Sequence, residues 1–185
     1  MDTLEAIRNR RSIRQQKSDP FDDATLSKIL EAARWAPSSG NNQEWRFIVV
    51  RDREIKAQLQ TTRPKRATPQ PQPIIDAPVV IAVVGELNKA GFSPDGTPHT
   101  DKGGNWYLFD TGIATQNICL AAHALGLGTL IIGNFDSKKA AEILKVPAGF
   151  DVVVLVPVGY AAQPGGPIAR KELSEIVFND AFGNK

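Results

Sequence analysis

Apolar positions along the chain alternate between two periods, and the periods divide it into helices and strands. Leu26, Ile29, Leu30 and Ala33 fall at the i, i+3, i+4, i+7 spacing of an amphipathic helix. This helix should start at Asp22 or Asp23 and stop at Pro37. A shorter helix precedes it, with Asp2 as cap, Glu5 in the capping-box position, and Leu4 and Ile7 as its apolar edge. Residues 45–50, 78–84, 129–132 and 152–158 read as strands. The β-branched runs 78–84 and 152–158 have the continuous apolar character of strands covered on both faces. Pro157 points to an edge or an irregular end of the last strand. Residues 105–127 form the longest helix, carrying Ile113, Ala114, Ile118, Leu120, Ala121, Ala122 and Leu125, and should be buried most of the way round. Modest helices are expected over 52–60 and over 137–144, the latter capped by Ser137.

Between these elements lie a small-residue loop at 37–44, a proline-rich excursion at 61–73 and a long Gly/Pro-containing loop at 85–104. Helices clustered around four short strands make an α+β fold, with a three-layer arrangement of the α/β type. There is no internal repeat, and residues 1–185 read as one domain. After Gly165-Gly166 the tail carries an apolar patch of Leu173, Ile176, Val177, Phe178 and Phe182. It either docks on its own domain or reaches across to another subunit.

Composition narrows the function classes. The chain has 185 residues with 22 basic and 20 acidic side chains, a balance that does not mark a nucleic-acid-binding protein. One Cys and two His exclude an intrachain disulfide and an all-His/Cys structural zinc site, so no metal is expected. No apolar stretch approaches the roughly 20 residues that cross a bilayer. The opening MDTLEAIRNRR has no apolar segment of a secretory signal, which makes a cytoplasmic location the default. The chain also lacks G-x-G-x-x-G, a P-loop, HExxH and G-x-S-x-G. With side-chain catalysis so thinly represented, chemistry borrowed from a cofactor is the better expectation.

Four segments could hold such a cofactor. Arg10-Arg11-Ser12-x-Arg14 sets three guanidiniums and a hydroxyl at a helix end, enough to grip a phosphate and leave a cation spare. Residues 37–43 crowd small and amide-bearing side chains into one loop. Gly133-Asn134 follows a strand and permits positive φ with exposed backbone N–H groups. Arg170-Lys171 is a basic pair in the tail. Taken singly, each reads as solvated surface or as a self-capping loop.

In this order, together with the Asp76-Ala77-Pro78 strand entry and the helix Gln116-Asn117…Ala121-Ala122-x-x-Leu125-Gly126-Leu127-Gly128, the segments resemble the FMN-dependent nitroreductase family. The resemblance runs from Arg10 to about Ile176. It implies a sheet of four strands plus an exchanged C-terminal strand, in an intertwined homodimer with two interface FMN sites. The longest helix would lie in the dimer core, and residues 163–185 would be an arm wrapping the partner. Arg10, Ser12 and Arg14 would reach the FMN phosphate, ribityl chain and N1/O2 edge, with Arg11 beside them. Pro37, Ser38, Ser39, Asn41 and Gln43 would approach the flavin from the other subunit. Ile132, Gly133 and Asn134 would line the ring, with a backbone N–H near N5. Arg170 and Lys171 would complete the phosphate site. No catalytic side chain beyond the flavin is implied.

The implied activity is ping-pong reduction of nitroaromatics, quinones or similar acceptors by NADH or NADPH. Alternatives on the same fold are a flavin-binding or storage protein, or a relative that reduces enoates, fragments flavin or dehalogenates. Trp106, Tyr107 and Phe109 are candidates to stack on an aromatic ligand, or else begin the core face of the longest helix. The family loop reads Gln-Pro-Trp where this chain has Glu44, and the family turn has Gly where this chain has Asn134.

Overall fold

A computed structural model describes residues 1–64 and 71–185. The centre of the proline-rich excursion, residues 65–70, lies outside the described residues. Among the described residues, besides two short 3-10 turns at Ser39–Asn41 and Gly103–Asn105, the α-helices and strands follow in chain order: α1 (Thr3–Asn9), α2 (Asp23–Arg34), β1 (Trp45–Val50), α3 (Arg53–Thr61), α4 (Pro73–Asp76), β2 (Val79–Glu86), α5 (Trp106–Ala124), β3 (Gly128–Thr129), α6 (Ser137–Ile143), β4 (Phe150–Gly159) and α7 (Leu173–Ile176).

The four strands form one antiparallel sheet in the order β1-β2-β4-β3. Period-two alternation explains why β2 is apolar throughout. Val79, Ile81 and Val83 face one cluster, with Leu26, Ile29 and Ala33 of α2 and Ile118 and Ala122 of α5. Val80, Ala82 and Val84 face the opposite cluster, with Leu59 of α3, Ile74 of α4 and Ala140 of α6. The protein is therefore three layers, with the sheet between two helical layers. Fully burying a Val or Ile of this kind contributes about 1.5–3 kcal/mol, so the doubly covered strands hold the layers together.

Several boundaries differ from the sequence expectations. The cap of α6 is Asp136, not Ser137, because the Asp136 carboxylate accepts the Lys139 N–H at 3.0 Å. The expected strand at 129–132 is only two residues long, and a single bridge between Ile132 and Leu155 continues it. Pro157 sits inside β4, which is flanked on both sides; its carbonyl accepts the Leu130 N–H at 3.3 Å. Pro73 opens the one-turn α4, which the proline-rich composition had masked.

The longest helix ends at Ala124, before Gly126 at φ +81° and the Leu127 N–H to Ala122 carbonyl bond. It is not covered all round by its own chain. One face, including Ala114, Ile118, Cys119 and Ala122, is buried, while Leu108, Phe109 and Leu125 are exposed. The tail packs on its own domain only at its start, where Gly165 lies against Arg11 and Ile13; beyond it Ile168, Leu173, Ile176, Val177 and Phe182 are all exposed.

Candidate functional site

The basic segment leaves α1 in extended form and runs beside the sheet. Arg10 is the C-cap, at φ −56° and ψ 134°. Ser12 bridges Thr129 in parallel, and the Ile13 N–H donates to the Thr129 carbonyl at 2.8 Å. Further along, Lys17 N–H donates to Tyr160 O, and Ala162 N–H donates to Gln15 O at 2.9 Å. In an extended chain successive side chains point to opposite sides. Ile13 is accordingly buried while Arg14 is exposed. Close approach of this segment requires Gly128, where a Cβ would stand 2.5 Å from Ile13 Cγ1.

Arg14 faces two neighbouring cavities that share it and Pro71. One, of about 190 Å³, is lined by Arg14, Arg63 and residues 130–134. The other, of about 400 Å³, lies between residues 11–15 and residues 163–168. Gly133 stands at the first with nothing within 4 Å of where its Cβ would be, so any side chain there would project into open space. Neither Gly133 nor Asn134 takes the positive φ that the sequence permitted. Ile132 spends its backbone on the bridge to Leu155, but the N–H groups of Gly133 and Asn134 make no hydrogen bond among the described residues. They remain donors for a ligand.

The structure thus sets Ile132, Gly133 and Asn134 at the first cavity and Arg11 and Ser12 at the second, with Arg14 common to the two halves of the cleft. Arg11 turns its guanidinium back to the Arg8 and Arg10 carbonyls at 2.8 and 2.9 Å. Arg10 lines an adjoining hollow that also contains His123. There burial, then the Arg10 and Arg11 cations, hold His123 below the usual imidazole range. Burial pushes the Cys119 thiol up, as expected of an inert core cysteine.

The other predicted site residues are not at this cleft within one chain. The loop of Pro37, Ser38, Ser39, Asn41 and Gln43 lies beside the first half of α5, tied there by Ser39 N–H donating to Asp110 Oδ2 at 2.8 Å. Gln43 N–H donates to Ser38 Oγ at 2.9 Å, and Arg46 donates to the Gln43 carbonyl at 3.0 Å. These bonds hold a left-handed backbone at Asn41 (φ 55°) and Gln43 (φ 50°), conformations that cost energy for residues with a Cβ. Arg170 and Lys171 are exposed on the tail, and Arg170 donates to the Ala169 carbonyl at 3.2 Å.

Among the aromatic candidates, Tyr107 is structural. Its ring covers Gly85 and its hydroxyl donates to Asp151 Oδ2 at 3.1 Å; burial, then Asp151, push its pKa up to about 12. Trp106 donates to Thr100 Oγ1 and meets Phe109 edge to face at 5.5 Å. Phe109 itself is exposed.

Sequence reasoning placed Arg63 in a loop that could cover the site without giving it a role, and it missed Leu130 at the cleft and Asp110 as the anchor of the 38–43 loop. An acid inside an otherwise apolar helix was the available signal for Asp110. Among the described residues there is no cluster of three or more His, Cys, Asp or Glu able to hold a metal. Among the described residues no helix is long and apolar enough to cross a membrane.

Residues 7–160 match the family model described as the nitroreductase family. A relative from Methanothermobacter thermautotrophicus, provisionally named NADH dehydrogenase/NAD(P)H nitroreductase, is 34% identical over 90% of this chain and 81% of its own. The FMN reductase [NAD(P)H] of Bacillus subtilis is 31% identical, covering 100% of this chain and 76% of its own. Among solved structures, a protein from Exiguobacterium sibiricum in complex with FMN superposes with a TM-score of 0.79 at 28% identity, covering 96% of each chain.

Proposed function

Because the chain belongs to the nitroreductase family of oxidoreductases, we propose that it is an FMN enzyme that oxidises NADH or NADPH and reduces nitroaromatics, quinones or similar acceptors. The observation that carries this reading is the open cleft in which Ser12, Arg14 and the free N–H groups of Gly133 and Asn134 converge. When bound, FMN supplies the two-electron chemistry that no side chain here provides.

The residues fit that group. Arg14 brings a permanent cation with five donors, suited to an anionic ring edge or a phosphate. Ser12, which lines the second cavity, would add a hydroxyl at the ribityl and phosphate end. Gly133 leaves room for a flat ring to approach the backbone, and the N–H of Gly133 or Asn134 would offer a donor near N5. Arg10, Arg11, Arg170 and Lys171 would complete the phosphate end once the tail is in place.

The active unit in this proposal is a homodimer. The exposed Leu108 and Phe109 of α5 and the exposed apolar side chains of the tail favour it, since covering them with a second copy would remove apolar surface from water. In that dimer the arm 163–185 wraps the partner and adds a strand to its sheet. Pro37, Ser38, Ser39, Asn41 and Gln43 then face the flavin of the other subunit. The two nucleotides and the acceptor would use one pocket in turn, giving ping-pong kinetics.

The test is NADH and NADPH consumption by the FMN-loaded protein with menadione or a nitrofuran. Stimulated turnover with parallel lines in double-reciprocal plots is the expected result. Bound FMN without stimulated turnover would mark a flavin-storage protein and overturn the enzyme reading.

A further inference from the structure

Glu44 occupies the joint between the 38–43 loop and β1, and it is the most deeply buried acid among the described residues, at 0% exposure. Among the described residues no N–H or O–H of another residue reaches its carboxyl oxygens; what they meet is a second carboxyl, with which Glu44 can hydrogen-bond only while one of the two carries a proton. Its neighbour across the packing is Asp110 of α5, 1% exposed, which accepts the Ser39 N–H. Trp45, next to Glu44, and Ala114, one turn along α5 from Asp110, belong to one apolar cluster with Ala36. Two ionised carboxyls are not tolerated in such a place.

The surrounding charges do not relieve the conflict. Lys89, beyond β2, favours an ionised Glu44 but is paired with Glu86 at 3.1 Å. Glu86 uses its backbone N–H on the Glu44 carbonyl. Arg46 of β1 spends its guanidinium on the Gln43 and Trp45 carbonyls and on Glu86. From α5, Tyr107 turns its hydroxyl to Asp151. Burial first, and the Asp110 carboxyl second, push Glu44 up to about 7.

We propose that Glu44 is a positioning residue: while its carboxyl is neutral it tolerates the buried Asp110 carboxyl that accepts the Ser39 N–H, and so fixes the 38–43 loop in its flavin-facing form. The functional half rests on the reading above that this loop faces the partner's flavin. Loss of the Glu44 proton puts two charges in one apolar site. The strained turn at Asn41 and Gln43 then gives way, because its anchor is repelled.

The experiment uses the full-length chain, its Glu44→Gln variant, and Asp110→Asn as a second variant. Asp110→Asn keeps an acceptor for Ser39 and removes the like charge. The first readout is thermal unfolding without flavin. The folded-state pKa is raised from 4.5 to about 7, so the stability that Glu44 contributes is present below 4.5 and lost as pH rises through about 7. The parent chain should lose about 5 °C more in Tm across that window than Glu44→Gln does. Asp110→Asn should move the loss to lower pH. The second readout is FMN affinity by fluorescence quenching. The parent should bind FMN about tenfold more weakly at pH 8.5 than at pH 7, and Glu44→Gln should not.

Identical pH profiles of parent and Glu44→Gln in both readouts would overturn the proposal. Separated melting profiles with an unchanged pH dependence of FMN affinity would overturn the loop-positioning half. If no variant binds FMN at any pH while the melting profiles still separate, the flavin reading itself fails and only the buried pair stands.

Discussion

Ile13 and Thr129 join the basic segment to the sheet: the Ile13 N–H donates to the Thr129 carbonyl at 2.8 Å. This contact sets Arg14 beside residues 130–134, more than a hundred positions away in the sequence. The joint depends on the bare backbone of Gly128, where a Cβ would lie 2.5 Å from Ile13 Cγ1 and 2.9 Å from Ile13 Cβ. Those atoms are close to the main chain and cannot swing aside. Gly128→Ala should therefore displace residues 11–14, costing about 1–3 kcal/mol. Urea unfolding checks the stability, and retention of flavin on purification checks the displacement.

Arg14→Ala removes the one side chain common to both cavities of the cleft that carries a charge. A charge-assisted hydrogen bond is worth about 1.5–3 kcal/mol. FMN affinity should fall by roughly tenfold to a hundredfold, measured by fluorescence titration. An unchanged affinity together with an unchanged rate of reduction by NADH would count against a role at the ring edge.

Arg170→Ala separates the phosphate from the ring. If the exposed Arg170 reaches the phosphate once the arm is in place, the variant should lose affinity for FMN but little for riboflavin, which lacks that group. Equal losses for both ligands would remove Arg170 from the phosphate site.

Deleting residues 163–185 tests the arm. The deletion removes one wall of the larger cavity along with the exposed Ile168, Leu173, Ile176, Val177 and Phe182. Light scattering should show dissociation to a single chain at concentrations where the full chain stays paired. An undiminished dimer with undiminished FMN affinity would contradict the exchange.

What was legible in the sequence was local. Leu26, Ile29 and Ala33 announced α2 through their spacing, and all three are buried. The runs at 78–84 and 152–158 announced the two central strands because both faces of those strands are covered. Ends were harder, since two residues can compete for one role. Ser137 and Asp136 are both good caps, and the carboxylate of Asp136 takes the bond. The one-turn α4 was hidden because prolines that break a helix interior can also begin a helix.

The site was legible only through resemblance. No periodicity links Ser12 to Thr129, or Ser39 to Asp110, because these are contacts between distant segments. The exposed face of α5 was read as buried for a related reason: an apolar helix looks the same in sequence whether its own chain or a second one covers it.

The most direct test of the central claim is the absorption spectrum of the freshly purified protein, followed by identification of whatever heat releases. The account predicts a flavin spectrum and FMN in the supernatant, or tight uptake of FMN by protein purified without it. A colourless protein that takes up no added FMN would contradict the account, and would reduce the Arg10–Arg14 segment to surface charge.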